Sequence, residues 1–170
     1  MNITEAQTQA MGGEQYTNGN TWFLKKVPAP DSEFDTYVVE ISRKYGVCYV
    51  GGLGKIINSS KDGAPVKAQF AKLKAELTAQ YGASIDVDSL VPTSSLTGPN
   101  DWMESIYQVE RELNSVWTAE SKAPLPPGVS EIIVYADVLS DGEGYVNVYY
   151  RAKNWETCLE DAKQWRPKGS

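Results

Sequence analysis

Two paired runs of alternating apolar and polar residues, each broken by a glycine-bearing turn, constrain this chain more than any other feature. Thr36–Ser42 sets Tyr37, Val39 and Ile41 against Val38 and Glu40, the period of two that gives a strand one buried face. Arg43-Lys44-Tyr45-Gly46 supplies a turn, and Val47-Cys48-Tyr49-Val50 continues as an apolar strand through Gly51, Gly52, Leu53 and Gly54 toward Ile57. Farther along, Ile132, Val134, Ala136 and Val138 share one face of a run from Glu131 to Leu139. After the turn Ser140–Gly144, Val146, Val148 and Tyr150 alternate with Asn147 and Tyr149. The pattern predicts two antiparallel hairpins.

Three segments carry the helical period instead. Val66, Phe70, Leu73, Leu77 and Tyr81 recur at four, three, four and four, with Pro65 fit for a first turn and Gly82 for a stop. That spacing turns Lys67, Lys72, Lys74 and Glu76 outward. Asp101 with Glu104 reads as a capping box, and Trp102, Ile106, Val109, Leu113 and Val116 predict a second amphipathic helix to about Ala119. Asn154 caps a final helix with Trp155, Cys158, Leu159, Ala162 and Trp165 on one side. Between the first two helices, residues 83–99 form a long polar connection, unusual inside a compact domain, that is either functional or hides a short strand around Ile85 to Val87.

The expected fold is therefore α+β: a single antiparallel sheet of four to five strands in two hairpins, with two long amphipathic helices and a short C-terminal helix packed on one face. Residues 1–20, polar and without apolar period, read as a mobile arm, 21–166 as one domain and 167–170 as a tail. Lys122–Gly128 is a stiff proline linker, but the 42 residues beyond it are too few for a separate core.

Chemistry is constrained mainly by what the 170 residues lack. There is no histidine, which removes imidazole-activated nucleophiles, a general base near neutral pH and the commonest zinc ligand. The two cysteines, Cys48 and Cys158, make no disulfide framework for a chain this size and read as small buried hydrophobes, with a redox pair or a reactive thiol as the alternative. Gly51-Gly52-Leu53-Gly54-Lys55 invites a phosphate loop, but Tyr49 stands where its first glycine belongs and Ile56 where a magnesium-binding hydroxyl belongs. No parallel strand opens into a helix there, so the dinucleotide fingerprint fails too. What remains is a bulged or curved strand whose bare backbone a ligand or partner can approach.

Asp86-Val87-Asp88 and Asp141-Gly142-Glu143 lack the twelve-residue loop and closing glutamate of a calcium site. No cofactor or metal is expected. Asp137 shares a strand face with Ile133, Tyr135 and Leu139 and reads first as an exposed strand residue; only if helices cover that face would burial raise its pKa and make a base. Tyr135, Tyr145, Tyr149 and Tyr150 crowd the second hairpin, but lack the interleaved Arg and Lys of a single-strand nucleic-acid platform.

A net charge of −6 disfavours phosphate backbones and anionic lipid; nucleic-acid binding would require a clustered basic face such as one along Lys67, Lys72 and Lys74. No secretory start and no run of about 18 apolar residues is present, so the cytoplasm is the expected compartment. The first functional reading is a non-enzymatic, acidic domain that binds another protein as an inhibitor, immunity or adaptor protein would, through Tyr and Trp anchors. The alternative is a small-molecule binder with an aromatic-lined pocket between sheet and helices. A histidine-free enzyme built on Asp137, Lys55 or a tyrosine follows. The binding candidates are Gly51, Gly52, Gly54, Lys55, Tyr135 and Tyr149.

Overall fold

The computed structural model describes residues 8, 12–16, 20–42, 44–140 and 142–164. The proposed arm over 1–20 lies largely outside them, as do the 167–170 tail, Trp165, Arg43 and Asp141. The strands are β1 (Glu14–Gln15), β2 (Thr21–Leu24), β3 (Phe34–Ser42), β4 (Gly46–Gly54), β5 (Ile57–Asn58), β6 (Ile85–Leu90), β7 (Arg111–Thr118), β8 (Val129–Ser140) and β9 (Glu143–Ala152). They form one sheet in the order β1-β2-β3-β4-β9-β8-β7-β6, with β5 also on β9, and every pairing is antiparallel. The described helices are α1 (Ala64–Tyr81), α2 (Trp102–Tyr107) and α3 (Trp155–Gln164).

The four-to-five-stranded α+β fold with two long helices is thus overturned. The molecule is mainly a nine-stranded antiparallel sheet. The largest single error is the second helix. It lasts six residues, then Val109 adopts a left-handed backbone (φ 59°) and the chain turns back as β7. A β-branched residue is strained in that region, which ends the helix there. Val109, placed on the buried stripe by the four-three spacing, is 83% exposed, whereas Trp117, off that stripe, is fully buried. Spacings of four and three cannot distinguish a helix from a helix followed by a strand when both elements bury some of the same positions. The polar 83–99 connection also conceals a full strand, β6, at the sheet edge. Lys74 and Arg111 ion-pair with its Asp86 and Asp88. Charges along an edge discourage pairing with another chain.

The helices do not share a face. α1 and α2 lie over β7–β9, with Val66, Phe70, Leu73 and Leu77 from α1 meeting Trp117, Ile132, Val134, Val146 and Val148. α3 lies on the opposite face, against β3 and β4. There the cysteine assignment also fails: Cys48 and Cys158 are both fully buried, but as a disulfide that spans 110 residues with Cα atoms 6.0 Å apart. The register shift between Glu40 and Ile41 leaves Cys48 as the extra residue of a bulge, between Tyr49 and Val47 in the ladder. Ser42 reinforces the attachment by donating its hydroxyl to Asp161 (2.7 Å), and Asn154 Nδ2 donates to the Tyr45 carbonyl (2.7 Å).

A crosslink closing so long a loop removes much of the freedom of the unfolded chain. Reducing the bond, or replacing Cys158 with serine, is expected to cost about 2–5 kcal/mol. Urea unfolding with and without dithiothreitol measures this. An unchanged midpoint would mean that the bond does not hold the fold.

Candidate functional site

Among the described residues, β4 and β9 join the β1–β4 half of the sheet to the β6–β9 half, through pairs from Tyr49↔Arg151 to Gly52↔Val148. The glycines belong to this junction. A Cβ on Gly51 would enter the Tyr149 ring on one face of the sheet, and one on Gly52 would enter the Phe34 ring on the other. At Gly54 it would collide with the Val146 backbone, where β4 crosses close to β9 before β5 pairs with it again. Aromatic rings covering strand glycines restore the packing the missing side chains forfeit. Gly54 N–H then donates to Asn147 Oδ1 (3.1 Å), while Asn147 Nδ2 donates to the Tyr135 hydroxyl (3.0 Å). Asn147, 2% exposed, is a buried amide satisfied at both ends that links three strands. Lys55 stands apart from the junction, exposed, its N–H donating to the Glu33 carbonyl (3.3 Å).

On the α3 face the junction carries a row of aromatic rings. Trp155 meets Tyr49 edge-on at 5.2 Å, Tyr49 meets Tyr149 edge-on at 5.4 Å, and Tyr149 stacks on Tyr135 at 5.6 Å and 11°. The Arg151 guanidinium lies 5.1 Å from the Trp155 ring. These rings line a concavity of about 640 Å³ shared with Arg111, Glu112, Asn114 and Asp137. Asp137 is half-buried and accepts the Tyr145 hydroxyl proton at 2.7 Å. Burial, then that carboxylate, raises the Tyr145 pKa; burial, then the Tyr135 hydroxyl, raises that of Tyr149. Burial, then Glu40, pushes Tyr49 up to about 12. Tyr135 and Tyr149 are therefore brought together, with Gly51 beneath them.

The other face holds a second cavity, of about 520 Å³. The apolar interior is divided in two. One cluster lies beneath α1 and α2; the other consists of Trp22, Leu24, Val39 and Ile41 on β2 and β3, with Val50 of β4 against it. α1 reaches over the first and stops short of the second, and the gap between them is the cavity. Its floor is Val39, Val50, Gly52 and Val148, and Leu73 and Leu77 of α1 form one wall. Phe34, Tyr37 and Tyr150 line it, with Val27, Pro28 and Ala29 of the β2–β3 connection along the mouth. That connection is fastened to α1 by Glu33, which takes an ion pair from Lys72 (2.6 Å) and a hydrogen bond from Gln69. Those two donors hold the Glu33 pKa below the ordinary carboxylate value.

Sequence reasoning missed most of this cavity. Gly51 and Gly52 line it, but no periodic sequence pattern singles out the residues from Val27 to Phe34 that also line it. A visible signal was the loop Pro28-Ala29-Pro30 between strand-forming runs. The basic stretch is not a free patch: Lys67 lies 4.5 Å from the Trp102 ring and donates to the Asp62 carbonyl, while Lys72 and Lys74 are ion-paired. Among the described residues no three His, Cys, Asp or Glu side chains gather to hold a metal, and no helix is long and apolar enough to cross a membrane.

Two predictions test this geometry. Gly54→Ala is expected to destabilise more than Gly51→Ala, which overpacks the Tyr149 ring for about 1–3 kcal/mol, because at Gly54 the colliding atoms are backbone. Equal costs in urea unfolding would contradict the close crossing of β4 and β9. The phenols give the second. Because their folded pKa values are raised, their contribution is complete below the unfolded value near 10 and is lost as pH rises through the folded values, about 12 for Tyr49. Tyrosinate absorbance and circular dichroism should change together above pH 10. Free ionisation of all phenols near pH 10 with the fold intact would refute the buried row. No family model, curated protein or solved structure matches this chain.

Proposed function

We propose that this chain binds a small, largely apolar molecule in the cavity between α1 and the β2–β4 half of the sheet. The observation that carries this reading is the division of the core into two clusters with about 520 Å³ of apolar space between them. That volume falls within the range of pockets that enclose small ligands, roughly 300–1,000 Å³. A core without such a role is packed with few voids larger than a water molecule. Here Phe34, Tyr37 and Tyr150 provide flat contact surfaces, and Tyr150, held neutral by burial, offers a hydroxyl.

A second reading, a protein-binding domain of the inhibitor or adaptor type, draws on the opposite face. The row Trp155, Tyr49, Tyr149, Tyr135 with Arg151 contains the residue types that anchor interfaces. The cystine bears on compartment. A cytosol keeps thiols reduced, so Cys48–Cys158 supports an oxidising environment over the cytoplasm.

The cavity reading is tested with Nile red, a neutral dye that brightens in apolar surroundings. Binding is expected, with Val50→Phe weakening it about tenfold by occupying the floor. Ala29→Trp, at an exposed position that lines the cavity, should do the same, with thermal midpoints confirming that both variants fold. If the native protein leaves the dye dark, or both variants bind it unchanged, the cavity is not a binding site.

A further inference from the structure

The cavity's rim says what kind of head group its occupant carries. Asp31, on the β2–β3 connection, and Glu76, on α1, are the charged side chains among its lining residues, and both are exposed. They belong to two different elements of the lining, with Gln80 one turn beyond Glu76 on α1. No lysine or arginine lines the space. Lys72 on α1 is committed to Glu33 at 2.6 Å and feels Glu76 and Asp31 at longer range. Lys55 acts on Glu33 from farther off. Glu76 makes no ion pair among the described residues, and Asp31 Oδ1 accepts the Glu33 N–H at 2.9 Å. The charged residues that line the cavity are thus carboxylates alone, while the lysines near it, Lys25, Lys26, Lys55 and Lys72, stand outside the lining.

The wall adds an independent argument. Phe34 and Tyr37 meet edge-on at 6.1 Å inside the cavity, and Tyr150 lines it with them. Aromatic faces attract cations through their quadrupoles, and do so more strongly where water is excluded. Carboxylates outside and rings inside favour an ammonium over a neutral head, and repel an anionic one.

We infer that the occupant is a cationic amphiphile, an organic amine whose apolar body lies on Val39, Val50 and Val148 and whose ammonium sits between Asp31 and Glu76. This rests on the cavity reading above, and the experiment separates the two. Decylammonium, decanol and decanoate share one chain and differ only in head group. Each is titrated below its micellar concentration at pH 7, with displacement of Nile red as the readout. Decylammonium is expected to bind roughly tenfold more tightly than decanoate, since a charge contact near the surface and a ring–cation contact are each worth up to about one such factor. In the double variant Asp31→Asn, Glu76→Gln that ratio should fall toward one. Equal binding of all three probes, tighter binding of decanoate, or an unchanged ratio in the double variant would overturn the head-group assignment while leaving the cavity in place. Failure of all three to bind, with Nile red also dark, would remove the cavity reading itself.

Discussion

The close approach of β4 to β9 is the constraint on which the rest of the molecule depends. Among the described residues, four pairs, Tyr49 to Gly52 against Arg151 to Val148, join β1–β4 directly to β6–β9, with β5 adding two more on β9. Glycine at 51 and 52 lets the Tyr149 and Phe34 rings lie where side chains would otherwise stand, one on each face. Both candidate surfaces follow. On the α3 face Tyr149 extends the row from Trp155 through Tyr49 to Tyr135. On the α1 face Phe34 and Gly52 occupy the boundary between the two core clusters, where the cavity opens. Larger residues in place of the glycines would push the strands or the rings apart and change both surfaces together.

The disulfide works on the same half of the molecule. The β1–β4 half has a small core of its own, Trp22, Leu24, Val39 and Ile41, without a helix of the size of α1 above it. α3 covers its other face, and Cys158 fixes that helix to the β4 bulge at Cys48. A ten-residue helix is marginal alone, since helix nucleation is costly and isolated helices shorter than about 12–15 residues gain little. A covalent tie, the Ser42–Asp161 bond and the Trp155–Tyr49 contact supply what helix propensity does not.

How far the sequence could be read depended on whether a pattern had one structural solution. The stripe from Val66 to Tyr81, closed by Gly82, admits only a helix, and α1 runs from Ala64 to Tyr81. The alternation at 132–138 and 146–150 lies in β8 and β9, which pair directly. The Trp102–Val116 stripe had two solutions, and the left-handed turn at Val109 that decides between them leaves no mark in the spacing. β6 was obscured because its outward Asp86 and Asp88 make an edge strand as polar as a loop. The helices were assigned to one face because sequence order says nothing about which side of a sheet a helix returns to. Cys48 and Cys158 read as separate hydrophobes for the same reason: 110 residues apart, they meet only once α3 is on the side opposite α1. Of the site, the aromatic crowding at Tyr135 and Tyr149 and the bare glycines were legible; the cavity, a gap between surfaces distant in sequence, was not.

A gap of that size must resist closing, because apolar voids are costly and a neighbouring helix can move to fill them. α1 is held on both sides against such a shift. At its C-terminal end the Trp117 indole donates to the Gly82 carbonyl at 2.8 Å, and Lys74 holds it to Asp86 on β6. At its N-terminal end the Lys67 ammonium lies over the Trp102 ring of α2, and Met103 N–H bonds the Lys61 carbonyl at 3.0 Å. All four attachments draw α1 toward the β6–β9 half, away from β2 and β3. The Glu33 link to Gln69 and Lys72 spans the other side at the mouth, through a loop rather than through packed side chains. The cavity is therefore a consequence of where α1 is anchored, and the wall that faces α1 is a loop, the β2–β3 connection that carries Pro28, Ala29 and Asp31, tied back to it through Glu33.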